Sequence, residues 1–370
     1  MAGQLWQWQF GAAGGSAYTP SDTIALRFSD ISGWPSDDHA AAFAAFSRSL
    51  DKLQGGENGD DAWLNVVREA ARTIGVTPTS DMARRFFEAH FRPHRVRQVA
   101  GDGMVTGYYE PELAGSLTPD EAFHLPVYAL PDDLVLVTEQ NKPASFPVDL
   151  TAARTSETGL IPYFTRQEIE KGALERRGLE LVYLSDAPDA FVMHVQGSGL
   201  IRLPDGKALR IGFSGKNGHP YTSIGKRLVE MGELDLARAS LDTVLGWIRS
   251  DAERGRRLMW ENKSYIFFRI LDEAEAGEGP HGALGVPLTP GRSLAVDPRF
   301  HRLGLPVWVS APALNDMQGH PFNRLMIAQD TGSAIRGPSR GDIFWGSGES
   351  AGRIAGKTRH ACEFCILIPN

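Results

Sequence analysis

The chain has 370 residues, 42% of them hydrophobic, enough for two or three domains each with its own core. Its 38 Lys and Arg against 45 Asp and Glu leave a formal charge of −7, so no bulk positive field draws it onto nucleic acid, and no nucleic-acid partner is expected. Glycine, at 40 residues, exceeds the usual ~7% and proline, at 23, slightly exceeds ~5%, which favours a β-rich chain with many turns over a helical bundle.

The opening Met1–Trp8 alternates polar and aromatic residues. Neither an apolar run of eighteen residues nor a basic start followed by a short apolar stretch occurs, so no membrane span, signal peptide or lipid-bearing cysteine is expected. The first hundred residues read as helical. Asp37 and Asp38 can cap a segment in which Phe43, Phe46, Leu50 and Leu53 recur at helical spacing, and similar stretches follow near Ala62–Thr73 and Ser80–Phe91. His90 and His94 stand four apart, as two metal ligands on one helix would, but Pro93 breaks the turn that would align them.

From about Gly101 the texture changes to β-prone runs split by Pro and Gly: Met104–Tyr109, Pro126–Ala129, Leu134–Val137, Leu181–Tyr183, Ala190–Gln196 and Ala208–Phe213. Thr165 with Glu168 three residues on is a capping box and predicts a helix; another is predicted near Thr222, and two more over Leu241–Arg249 and Asp251–Trp260. The β texture resumes at Tyr265–Ile270, and the acidic, Gly-rich Asp272–Pro280 reads as a solvated loop. The order is therefore helical, β, helical, β.

Cys362 and Cys365 form a Cys-x-x-Cys pair that fits a small disulfide, free thiols or half a zinc site. No second pair completes such a site, and Ile366–Pro369 reads as strand where a redox motif would open a helix, so no metal is expected. No Gly-x-Ser-x-Gly elbow, P-loop or dinucleotide fingerprint is present; Gly346-Ser347-Gly348 reaches its third glycine one place late. No cofactor is expected.

What remains is carboxylate chemistry. Asp297 ends the apolar run Leu294–Val296, Asp330 ends Leu325–Gln329, and Asp342 precedes Ile343-Phe344-Trp345. One aspartate at a strand edge is usually a turn residue, but three that converge would raise at least one pKa above ~3.9, as a general acid at neutral pH requires. The glycines around them, such as Gly341 and Gly352, suit tight strand crossing or close approach of another chain.

The string Asp330-Thr331-Gly332-Ser333-Ala334-Ile335-Arg336-Gly337, then Arg340–Phe344 and Gly346–Gly356, with Ala295-Val296-Asp297 upstream, resembles the three-aspartate domain of the lytic murein transglycosylase A family. Thr106-Gly107-Tyr108-Tyr109-Glu110-Pro111 and His194–Gly199 resemble further motifs of that family, as do Gly215–His219 with Tyr221, Ser223–Lys226, and Asn262 to Phe268; Gly33-Trp34 also fits. The likeness leaves the extreme N-terminus and Cys362–Asn370 outside. It implies a mainly β chain with peripheral helices: a double-psi β-barrel domain from residues 1–108 and 264–370, and an inserted β-barrel-like domain over 109–263, with a groove between them.

The resemblance further implies cleavage of the β-1,4 bond between N-acetylmuramic acid and N-acetylglucosamine in peptidoglycan, with the muramic acid's own primary hydroxyl capturing the reacting carbon to give a 1,6-anhydro end. Asp342 then serves as acid and afterwards as base. Asp330 and Asp297 stand behind it, and Arg340 is expected to point away or onto another carboxylate, since a nearby cation would lower the pKa. Tyr108 and Tyr109 suit stacking on sugar rings, at most one of them facing the substrate because neighbours on a strand point opposite ways. Gln196, Ser198, Lys216 and Asn217 complete the expected binding set. Glycan strands are the implied partner, a monomer the expected state, and the periplasm or outer membrane the implied location. An inverting hydrolase using two aspartates at ~6.5–9.5 Å, or a non-catalytic glycan-binding barrel, stays open at this level.

Overall fold

In the computed structural model, residues 22–370 are described apart from 54–61, 76, 98–102, 273–278 and 316–318. The opening Met1–Trp8 and most of the expected loop at 272–280 lie outside the described residues. They divide into two units: the first takes residues up to Thr106, Gly282–Phe344 and Thr358–Asn370, the second Gly107–His281 and Trp345–Lys357.

In the first unit Asp38 caps the helix His39–Ser49 by accepting from the Ala41 amide at 3.1 Å, and Thr79 caps Ser80–His90 in the same way through Met82. The helices meet through their aromatic stripes. Phe43 lies edge-on to Phe86 with centroids 5.1 Å apart, and Phe46 to Phe87 at 5.7 Å. Beneath them Trp34, Phe91, Trp308, Leu325 and Leu367 continue one buried core, each such side chain contributing about 1.5–3 kcal/mol by leaving water. Asp37 is not a second cap. It is almost fully buried and takes both nitrogens of Arg292 at 2.8 Å while accepting from the Leu325 amide at 2.9 Å. His90 ends its helix and His94 sits in the next strand, Phe91–Val96, so the pair does not share a helix face.

Six strands close into a ring in the order Arg359–Pro369, Pro306–Asn315, Pro321–Thr331, Ser293–Val296, Arg340–Ser347, Gly103–Glu110 and back to Arg359–Pro369. This is the expected double-psi barrel. Most pairings are antiparallel; Ser293–Val296 runs parallel to Pro321–Thr331. Gly341 is small for a packing reason, since a Cβ there would stand 2.8 Å from Phe364 and 2.9 Å from Leu294. The closing strand carries both cysteines and belongs to the barrel. Three residues of strand separate their Cα atoms by about 10 Å and turn the side chains to opposite faces, beyond the reach of a disulfide. Neither is in a disulfide, and burial pushes each thiol up to about 12. The native protein is expected to leave both thiols unlabelled by a thiol reagent at pH 8 and to expose two per chain in denaturant; rapid native labelling would contradict the burial.

The second unit has a six-stranded sheet in the order Ile266–Ile270, Ala208–Lys216, Ser198–Arg202, Glu112–Ser116, Glu180–Leu184, Leu125–Tyr128, and a bridge between Ala129 and Phe268 joins its two ends. Ile266–Ile270 therefore belongs here, whereas the motif reading left 264–370 with the catalytic domain. Helices Ile224–Glu230, Leu241–Ser250 and Ala252–Glu261 pack Leu228, Val244, Ile248 and Leu258 into a separate core. The capping box at Thr165 is present, but after Arg166–Glu168 the turn widens and ends at Gly172.

One predicted strand is a helix. Ala187–Gln196 starts at Asp186, whose carboxylate accepts from the Asp189 amide, carries Pro188 in its first turn, and stops at Gly197 with φ of 85°. The β-branched and aromatic residues of Ala190–Gln196 favour a strand locally, but the cap, proline and glycine bracket them as a helix, and burial of Phe191 and Met193 supplies the rest.

Candidate active site

Asp342 lies in the strand Arg340–Ser347 and pairs in register with Ala295 on the neighbouring strand. On its other side Ala295 pairs with Asp330, because a bulge after Leu294 and Ala328 inserts Gln329 as an extra residue. That bulge brings Asp330 onto the sheet face used by Asp342, with only an alanine methyl between their rows. Gln329 turns instead into the core, where its amide donates to the Ala45 carbonyl and Ser49 hydroxyl at 2.8 Å.

Asp342 is part-buried, flanked in sequence by the buried Gly341 and Ile343. Its Oδ1 accepts from the Thr106 hydroxyl at 2.5 Å, and Thr106 in turn accepts from Arg340 Nη2 at 2.8 Å. The second Arg340 nitrogen donates to the Gly341 carbonyl. Arg340 thus points neither away nor at another carboxylate. It holds the hydroxyl whose only proton must then go to Asp342. Burial raises the Asp342 pKa to about 6; the Thr106 hydrogen bond and the Arg340 charge oppose that rise, and the Asp330 charge assists it. Because Thr106 occupies Oδ1 as a donor, Oδ2 is the oxygen left to carry the proton. Thr106 opens the tyrosine motif in the sequence, but nothing there marks its hydroxyl; only the ladder brings it to Asp342.

Asp330 also accepts from the Ala283 and Thr331 amides at 2.9 and 2.8 Å. Asp297 is fully buried and turned elsewhere, accepting from Arg299 at 2.6 Å and from the Gly337 amide at 2.8 Å. Burial pushes its pKa up, but the Arg299 guanidinium and these amides outweigh it and leave the group below the ordinary carboxylate range. Its carboxylate ties the 332–338 loop to the barrel, so two of the three aspartates share a row and the third braces it.

In the second unit Tyr108 and Tyr109 are both part-buried. The Tyr109 ring packs on Gly352 of the helix Gly348–Ala355, where a Cβ would stand 2.8 Å from the ring, and its amide donates to Gln196 Oε1 at 3.0 Å. Gln196 thus ends a helix, where the motif reading had a strand and turn, and one of its polar atoms positions Tyr109. Ser198 is buried at the start of its strand, and Lys216 is part-buried at the end of another. Asn217 does not fit the expected binding role. It is fully buried, donating to the Phe164 and Lys263 carbonyls at 2.8 Å and accepting from the Tyr265 amide at 2.9 Å. Glu110, next to the tyrosines, is likewise fully buried, bound by Arg210 at 2.8 and 3.0 Å and by the Ser347 hydroxyl at 2.6 Å.

Among the described residues no group of three or more His, Cys, Asp or Glu is placed to hold a metal ion, and no helix is long and apolar enough to cross a membrane.

Residues 104–269 match the family model of the MltA specific insert domain, and residues 292–368 match that of the 3D domain, which takes in nearly all of the closing strand. The membrane-bound lytic murein transglycosylase A of Vibrio cholerae serotype O1 is 34% identical over 265 residues, 70% of this chain and 64% of the relative, so the match spans just under two thirds of that protein. The crystal structure of E. coli MltA with bound chitohexaose is 27% identical, with a TM-score of 0.66 and 90% of each chain covered. A membrane-bound lytic murein transglycosylase from Agrobacterium tumefaciens is 37% identical, with a TM-score of 0.84 over 94% of this chain and 98% of its own. Likeness of this extent, carried through both the insert and the aspartate-bearing barrel, makes the chain a member of the lytic murein transglycosylase A family.

Proposed function

We propose that this protein is a lytic transglycosylase of peptidoglycan in which Asp342 alone serves as acid and then as base. The observation that carries the reading is a part-buried carboxyl whose pKa stands near 6, so that both protonation states are accessible close to neutrality. Protonated on Oδ2, Asp342 gives its proton to the glycosidic oxygen as the bond to the muramic acid C1 breaks. Ionised, it removes the proton from the C6 hydroxyl as O6 bonds to C1. No water is consumed and no second carboxylate is needed as nucleophile or water activator. Asp330 favours the protonated form by like charge, while Thr106 steadies the anion once formed. The names of the relatives and the chitohexaose bound to E. coli MltA support a glycan substrate. The same relatives support a place in the bacterial envelope.

Digestion of purified murein followed by mass spectrometry of product ends tests this. Anhydro ends are expected from the wild type and their loss from Asp342→Asn; reducing ends would establish a hydrolase, and cleavage by neither protein a binding module. Thr106→Val removes the bond that stabilises the Asp342 anion. The descending limb of kcat/KM against pH, expected near 6 in the wild type, should move up by about half to one unit.

A further inference from the structure

Near Asp342 lies a cation with no hydrogen-bond or ion-pair partner among the described residues. Arg359 pairs in register with Thr106 on the closing strand of the barrel, so its side chain leaves the sheet on the face shared by Thr106 and Asp342. Two strand spacings, about 10 Å, separate its Cα from that of Asp342. Arg359 is exposed, and its guanidinium makes no hydrogen bond or ion pair with any described residue. Arg340, two residues before Asp342 and on the same face, is already committed to Thr106 and the Gly341 carbonyl. The two guanidiniums feel each other: burial foremost, with the Arg359 charge adding to it, lowers the Arg340 pKa. The face that carries Asp342 thus holds two cations, Arg340 beside the carboxyl and Arg359 two strands away, and an arriving anion would balance the outer one.

We propose that Arg359 binds a carboxylate of the glycan substrate, seating an acidic sugar or its peptide beside Asp342. The inference rests on the transglycosylase reading and adds a specificity residue to it. The planar fork of arginine matches a carboxylate through two parallel hydrogen bonds, and a neutral oligosaccharide of N-acetylglucosamine has no group to offer it. Muramyl glycans present carboxylates from two sources, the lactyl group where no peptide is attached and the stem peptide where one is.

The test compares wild type, Arg359→Gln and Arg359→Lys on peptide-free glycan strands, on the same strands with the lactyl carboxyl converted to a neutral amide, and on peptide-bearing strands. Binding is read by calorimetry in an Asp342→Asn background and turnover in the native background. Arg359→Gln is expected to weaken binding and raise KM about tenfold on carboxylate-bearing strands, to leave the amidated strands unchanged, and to be partly rescued by lysine. Whichever carboxylate-bearing substrate shows the loss identifies the source. An equal loss on amidated strands, or no loss on any, overturns the proposal. Carboxylate-dependent binding by a wild type that yields only reducing ends would overturn the transglycosylase reading and leave this site standing.

Discussion

Asp342→Asn is expected to lower kcat on murein by about 10⁴-fold, the upper range for a general acid or base, because in the proposed mechanism one side chain performs both proton transfers. The same variant is expected to be more stable than the wild type at pH 8. The folded carboxyl keeps its proton up to about pH 6, whereas an unfolded aspartate releases it near 3.8. Between these values the unfolded chain binds fewer protons, so wild-type stability falls as pH rises through the window, by at most about 3 kcal/mol and by less for a side chain with some access to solvent. Asparagine keeps the acceptor for Thr106 and escapes this cost. Thermal melts at pH 8 should place the variant a few degrees above the wild type, with the gap closing by pH 4. A variant no more stable at pH 8 would mean that the carboxyl is freely hydrated, and the acid role would lose its physical basis.

The largest expected loss of stability comes from Asp37→Ala. Arg292 is 6% exposed, its partner carboxylate 3%, and the alanine would leave a guanidinium buried without its anion and the Leu325 amide without an acceptor. Removing one member of such a pair costs about 3–5 kcal/mol. Denaturant titration should show a lower midpoint with an unchanged slope. Asp38→Ala, which removes only a helix cap, should cost about 1 kcal/mol, and equal effects from the two substitutions would contradict the assignment.

These neighbouring aspartates show where the sequence was legible. Asp38 acts on a backbone amide three residues away, a local relation that any reading of caps finds. Asp37 acts on Arg292, 255 positions on, and nothing in its own neighbourhood distinguishes it from a second cap. The helices of the first hundred residues were legible because their aromatic stripes repeat at helical spacing. Ala190–Gln196 was not, because its β-prone interior is overruled by the cap and stop signals at Asp186 and Gly197.

The site divides in the same way. Asp342 and Asp330 were readable from the motif string, and their shared face depends on one extra residue, Gln329, whose effect is visible only in the ladder. Thr106 and Arg340 needed the barrel. The first stands 236 positions from Asp342, and the second was expected to avoid it because a cation in contact would hold the carboxyl ionised. Relaying that contact through a hydroxyl lets Arg340 orient the site at reduced electrostatic cost. Asn217 escapes sequence reasoning because a polar residue in a motif suggests an outward-facing group, whereas its amide is used up by three backbone groups.

The ring's closing strand, Arg359–Pro369, is the last of the six to leave the ribosome, yet it pairs with strands that begin near residues 91, 103 and 306. Until it arrives, those three strands each have one edge unpaired, while the second unit, encoded largely between residues 107 and 281, can already fold. Synthesis therefore delivers most of the inserted module before the barrel can close, and the ring is completed only once residues 359–369 have emerged.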